Sequence, residues 1–118
     1  MVKFSIFQIR DIAVTKYAFR DWFLAVKDFD FHDYKKVYDG EVSLDGYNSP
    51  RIACEDLFCK FNRTDFNKVP DDFHGRSMSV SDIVVFYGKE SKSVWYCDGF
   101  GFLELDEEVL GGYMPTAD

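Results

Sequence analysis

Three β-type runs crowd the last third of the chain, Ile83 to Tyr87, Val94 to Cys97 and Phe100 to Leu105, and no other feature limits the fold so tightly. The first two are separated by Gly-Lys-Glu-Ser-Lys, a hairpin loop with glycine at its start, and the second and third nearly abut. Runs joined this closely pair with their sequence neighbours, so the C-terminal half reads as a meander. The opening stretch Val2 to Ile9 is a further strand, rich in Phe and Ile on both faces. That describes a central strand covered on two sides, or one whose second side meets a partner.

Two helices are expected beside these strands. Val14, Tyr17, Ala18, Trp22 and Val26 recur at three- and four-residue steps, the helical period, over Val14 to Val26. Ser49 followed by Pro50 is a start signal, with the serine side chain accepting from orphan amides and proline fitting the first turn. Ala53, Leu57, Phe58 and Phe61 then form one apolar stripe that closes near Asn62. Between the helices, Phe29, Phe31 and Tyr34 alternate with Asp28, Asp30 and Asp33, a loop anchored by aromatics, and a short strand runs from Lys36 to Val42. Val69 to Ser81, with Pro70, Gly75 and its serines, is an ordered but irregular connection. The reading is an α+β fold: a mainly antiparallel sheet with a C-terminal β-meander and two helices packed on one face. Residues 1–110 form a single domain and 111–118 a loose acidic tail.

Composition narrows the function. With 13 Phe, 7 Tyr and 2 Trp among 118 residues, the chain is too aromatic to be disordered. A net charge of −7 argues against a direct electrostatic grip on nucleic acid or an anionic membrane. No run approaches a membrane span, and the start lacks the apolar stretch of a secretory signal, so a soluble, cytoplasmic protein is expected. Cys54, Cys59 and Cys97 are expected to be reduced thiols; neither His32 nor His74 completes a metal-ligand spacing with them, and no metal or cofactor is expected. The abundance of Phe leaves one exposed apolar patch as an expectation.

Catalytic constellations are weak. His74, Ser77, Ser79, Ser81 and Asp82 lie close in sequence, yet no G-x-S-x-G turn accompanies them. Their expected role is to satisfy backbone groups at a tight turn, with Arg76 pairing Asp71 or Asp72; a hydrolase built on His74 and Ser77 to Asp82 is the remote reading. The glycines form no phosphate-cradling loop, and the protein is expected not to be an enzyme.

Charge is distributed unevenly. The last basic residue is Lys92, and residues 93–118 carry Asp98, Glu104, Asp106, Glu107, Glu108 and Asp118, a segment of −6, while residues 1–92 hold 15 acidic and 14 basic side chains. Such a segment can be a solvated terminus that maintains solubility. It also has the sign required to occupy a basic groove, with Phe100, Phe102 and Tyr113 interleaved as aromatic anchors.

The runs FSIFQI (4–9), KVYDGEV (36–42), LFCKFN (57–62), VPDDFHGRSMSVSDIVVF (69–86) and WYCDGFGF (95–102), in this order and spacing, resemble the YodL-like domain found on mobile elements of Firmicutes and other gut bacteria. The resemblance covers about residues 2–105, is most specific from Gly75 to Asp82, and leaves the acidic residues after Leu105 outside the family pattern. It implies no enzymatic activity. It implies a mobile-element setting, in which small acidic proteins are often inhibitors of host defence. The expected function is therefore a non-enzymatic inhibitor, anti-CRISPR or antirestriction, binding a CRISPR effector or restriction nuclease through Asp98, Glu104, Asp106, Glu107, Glu108 and Tyr113. The alternative is an interaction module for plasmid transfer or replication without an inhibitory role.

Overall fold

In the computed structural model, which describes residues 1–11, 18–47, 49–62, 69–89 and 92–112, five strands form one antiparallel sheet: β1 (Val2–Ile9), β2 (Tyr34–Val42), β3 (Ile83–Tyr87), β4 (Lys92–Asp98) and β5 (Gly101–Leu105). Their spatial order is β2-β1-β3-β4-β5. The last three are the expected meander, and β1 inserts between β2 and β3. Every residue of β1 from Phe4 to Ile9 is buried, as a central strand requires.

Alternation along the strands creates two cores. Phe4, Ile6, Val84, Phe86, Trp95, Cys97 and Phe102 point to one face, and Phe7, Ile9, Ile83, Val85, Val94, Tyr96 and Leu105 to the other. The first face is covered by the long helix Pro50–Phe61, whose Ala53, Cys54, Leu57 and Phe61 are buried. The Pro50 start and the end at Asn62 match the sequence signals. The Ser49 side chain, however, caps nothing; its carbonyl accepts from Ile52 N at 3.1 Å instead.

Among the described residues the second face carries no long helix. The short helix Trp22–Ala25, here α1 with Pro50–Phe61 as α2, lies on this face with the 3-10 turn Phe31–Asp33, and Ala25, Phe31, Tyr34 and Leu110 supply the cover. The two helices thus sit on opposite faces rather than on one, because Ile83 to Phe86 is apolar on both sides and each side must be shielded. Of the helix expected over Val14 to Val26, residues 14–17 lie outside the described residues. The rest is one turn: Phe19 takes a left-handed φ of 64° that a continuous helix does not allow, and Val26 is exposed. The aromatic-anchored loop is as expected, with Phe31 and Tyr34 buried and Phe7, Phe31 and Tyr34 in ring contact.

One irregularity positions later features. Between Ile6 and Phe7 the β1–β2 register skips Val37. The Val37 carbonyl then accepts from His74 N at 3.0 Å, which ties the 69–81 connection to the outer edge of β2.

Because Leu57 is buried between α2 and the sheet, Leu57→Ala should cost about 2–5 kcal/mol through lost transfer energy and the cavity left behind. Urea denaturation followed by near-UV circular dichroism measures it, and an unchanged midpoint would remove α2 from this core.

Candidate functional site

The acidic residues are assembled at one end of the sheet by β5 and the turn that follows it. Glu104 stands exposed on β5, opposite Trp95 in the register. Asp106, Glu107 and Glu108, also exposed, belong to the 3-10 turn Glu107–Leu110 and its cap, while Leu110 anchors that turn in the second core. Two of these acids also have local work. Asp106 Oδ1 accepts from Glu108 N at 2.9 Å, and a Glu107 carboxylate oxygen accepts from Lys92 N. Glu104 and Glu108 have exposed side chains with no such bond among the described residues. Beside this strip lies a depression of about 520 Å³ lined by Tyr87, Lys92, Glu107, Glu108 and Leu110.

Asp98 differs from the others. It is half-buried, and its Oδ1 accepts from Trp22 N at 2.9 Å, while Asp21 Oδ1 accepts from Gly99 N at 2.7 Å. This reciprocal pair clips the start of α1 to the β4–β5 turn, so Asp98 is a structural acceptor. Among the aromatic anchors, Phe102 is only 6% exposed and packs edge-on to Phe58, whereas Phe100, at the turn, is 98% exposed. Tyr113 lies outside the described residues. Phe100 at the β4–β5 turn, Leu103 on β5, and Phe23 and Leu24 on α1 are all exposed. Leu103 and Phe23 escaped the sequence reading, although strand alternation places Leu103 opposite in sense to the buried Phe102.

The segment from His74 to Asp82 is organised around a buried polar cluster. Gln8, buried in β1, donates from Nε2 to Arg76 O and to Asp82 Oδ2, both at 2.9 Å, and its Oε1 accepts from Arg76 N at 2.8 Å. Asp82 Oδ2 also accepts from Ser79 N at 2.9 Å. The Ser81 hydroxyl accepts from Phe19 N at 3.1 Å, and its carbonyl accepts from the Tyr34 hydroxyl at 2.7 Å. Asp82 and Ser81 therefore do satisfy backbone groups at a tight turn. Gly75 is required by the close approach: a Cβ there would lie 2.4 Å from Gln8 Oε1. Arg76 reaches Asp11 at 3.5 Å, Ile9 O at 3.2 Å and the Phe19 ring at 5.6 Å, rather than Asp71 or Asp72. His74 is exposed and contributes its backbone to β2.

Burial dominates the electrostatics of this cluster. Desolvation pushes the Asp82 carboxyl up to about 7, against the opposing pull of Ser79 N, Gln8 and Arg76. Asp82 Oδ1 and Arg76 Nε are buried without hydrogen-bond partners among the described residues. Burial likewise raises the thiol of Cys97 to about 12 and that of Cys54 further still. Both are buried, Cys59 is on the surface, and none of the three is in a disulfide. No group of three or more metal-ligating side chains occurs among the described residues, and no described helix is long and apolar enough to cross a membrane.

A second polar chain went unread in the sequence. The Tyr87 hydroxyl donates to Ser5 Oγ at 2.9 Å, Ser5 Oγ donates to Asp39, and Lys36 Nζ meets Asp39 Oδ2 at 2.9 Å. Desolvation of Asp39 is outweighed by the Ser5 and Lys36 contacts, which hold its carboxyl below the ordinary value. These residues, 34 and 82 apart from Ser5 in sequence, meet only because β1 lies between β2 and β3. They border a shallow depression of about 570 Å³ that Lys3, Phe4, Gly40 and Glu41 complete.

Residues 3–107 match the family model described as the YodL-like domain. The match begins in β1 and runs through β5 into the following turn, so it takes in Glu104, Asp106 and Glu107 and extends past the Leu105 limit expected from sequence. No curated protein and no solved structure matches the chain.

The Asp82 environment generates a pH dependence. A carboxyl raised by folding binds its proton more tightly in the native state, so its contribution to stability falls as pH rises from the ordinary carboxylate range to about 7. Asp82→Asn keeps an oxygen for Gln8 and Ser79 and removes the titration. Its urea midpoint relative to the native protein should therefore rise between pH 5 and pH 8, and parallel profiles would refute the assignment.

Proposed function

This chain belongs to the YodL-like domain family, matched over residues 3–107, and on that premise we propose that it is a non-enzymatic inhibitor carried by mobile elements. Its acidic end occupies the basic, nucleic-acid-handling surface of a host defence nuclease, a CRISPR effector or restriction enzyme. The observation that carries this reading is the exposure of Glu104, Asp106, Glu107 and Glu108 together at the end of β5, with Leu103 on the same strand and Phe100 at the turn that starts it also exposed, in a segment without a Lys or Arg after Lys92. A surface of that composition is complementary to a groove built for phosphates, and complementary charge accelerates association and fixes orientation. The apolar residues farther along the same strand and at its turn provide the desolvated contact that charge alone does not.

The Ser77 to Asp82 segment has no part in this function. The Asp82 carboxyl accepts from Ser79 N and the Ser81 hydroxyl from Phe19 N, and the exposed His74 makes its described contact through the backbone. Activity is located at the opposite end of the sheet from β2.

Asp106 and Glu107 accept backbone bonds, so neutralising them disturbs local structure as well as charge. Glu104→Gln with Glu108→Gln isolates the charge. In pull-downs of a purified CRISPR effector or restriction nuclease at two salt concentrations, the double variant should bind at least about tenfold more weakly at low salt, as loss of one close interfacial charge pair allows. It should also respond less to added salt. Equal binding by both proteins would overturn the acidic-face mechanism, and absence of binding to any defence nuclease would favour a plasmid interaction module.

A further inference from the structure

The two outer edges of the sheet are treated differently. On β2, the Val37 carbonyl is taken by His74 N at 3.0 Å, so that edge is met at one point by the 69–81 connection before the connection passes on to β1 and β4. On β5, no described residue other than those of β4 bonds to the strand. A strand in that position turns every second N–H and C=O outward, and such a row of groups is a template for another extended chain.

Side chains around the open edge are graded along it. At the start of β5 stand Phe100, 98% exposed, and the partly exposed Leu103. The Asp98–Trp22 and Asp21–Gly99 bonds bring the start of α1, with Phe23 87% exposed, to the same turn. At its far end stand Glu104, Asp106, Glu107 and Glu108, all exposed. Natural sheets blunt a free edge with charge, most often lysine; among the described residues β5 and the turn after it carry acidic charges alone, and Phe100 at the other end is exposed.

We propose that the free edge of β5 takes up an extended segment of a partner protein as a sixth strand. The segment places apolar side chains beside Phe100 and Leu103 and lysine or arginine beside Glu104 and Glu108. Charge selects this occupant over a second copy of the chain, because a self-paired β5 would bring together two segments of −6 that repel. The inference rests on reading the acidic end as a protein contact and is independent of whether the partner is a nuclease.

The test uses the full chain and two fluorescein-labelled synthetic peptides. One has β-branched residues at alternate positions, apolar residues at one end and lysines at the other; the second is identical but N-methylated at alternate backbone nitrogens. The first should bind in an anisotropy titration and slow the hydrogen exchange of alternate β5 amides. The methylated peptide should bind about tenfold more weakly or worse, the worth of two lost backbone hydrogen bonds. Equal binding of the two peptides overturns strand addition while leaving the acidic contact standing. Binding of the first that is insensitive to Glu104→Gln with Glu108→Gln upholds strand addition and overturns the acidic-face reading. No binding by the first peptide, or a sedimenting dimer whose β5 amides are already protected, overturns the inference.

Discussion

The structure depends on covering a strand that is apolar on both sides. Ile83, Val84, Val85 and Phe86 are all buried, so β3 and the strands beside it must be shielded above and below, and the described residues supply one long helix to do it. That helix, α2, takes one face. The other is closed by single aromatic rings projected from short segments: Phe31 and Tyr34 from one turn, and Trp22 packed 5.0 Å from both Phe29 and Tyr96. The abundance of phenylalanine and tyrosine follows from this arrangement, since a ring covers more sheet per residue than an aliphatic side chain.

Rings held by short segments need polar fastening. The Tyr34 hydroxyl reaches Ser81 O, the Tyr96 hydroxyl reaches Arg20 O at 2.7 Å, and Asp98 and Asp21 exchange bonds with Trp22 and Gly99. Gln8 does the same for the 76–82 segment from inside β1. These bonds join residues more than forty positions apart and set where the acidic turn and the exposed Phe100 lie relative to α1.

The parts of the fold written in local sequence were legible. Strand alternation, the Pro50 start and the Ala53–Leu57–Phe61 stripe each depend on neighbours in the chain, and β1, α2 and the meander were read from them. What long-range packing decides was not. Nothing near Phe19 in sequence announces a left-handed residue whose amide is bound by Ser81. Asp98 looks like any other acid of the terminal segment until Trp22 N is brought to it. Phe102 and Phe100 have the same chemistry and differ only because one faces α2 and the other caps a turn. The Ser5–Asp39–Tyr87 chain needed the strand order itself. At the candidate site, the sign and clustering of charge were legible, while the division between acids that hold the fold and acids free to act elsewhere was set by backbone partners.

The fastening of α1 has a consequence for how the molecule comes apart. The segment from Phe19 to Trp22 is held to the rest of the protein through Ser81 Oγ, Asp98, Gly99 and the Tyr96 hydroxyl, a few bonds rather than a ladder, and only Ala25 of its helix is buried. Lifting it leaves the strand pairing and the α2 core intact. Opening of this segment is therefore a subglobal unfolding step that bares the Tyr96 ring to solvent and to proteases while the sheet remains folded.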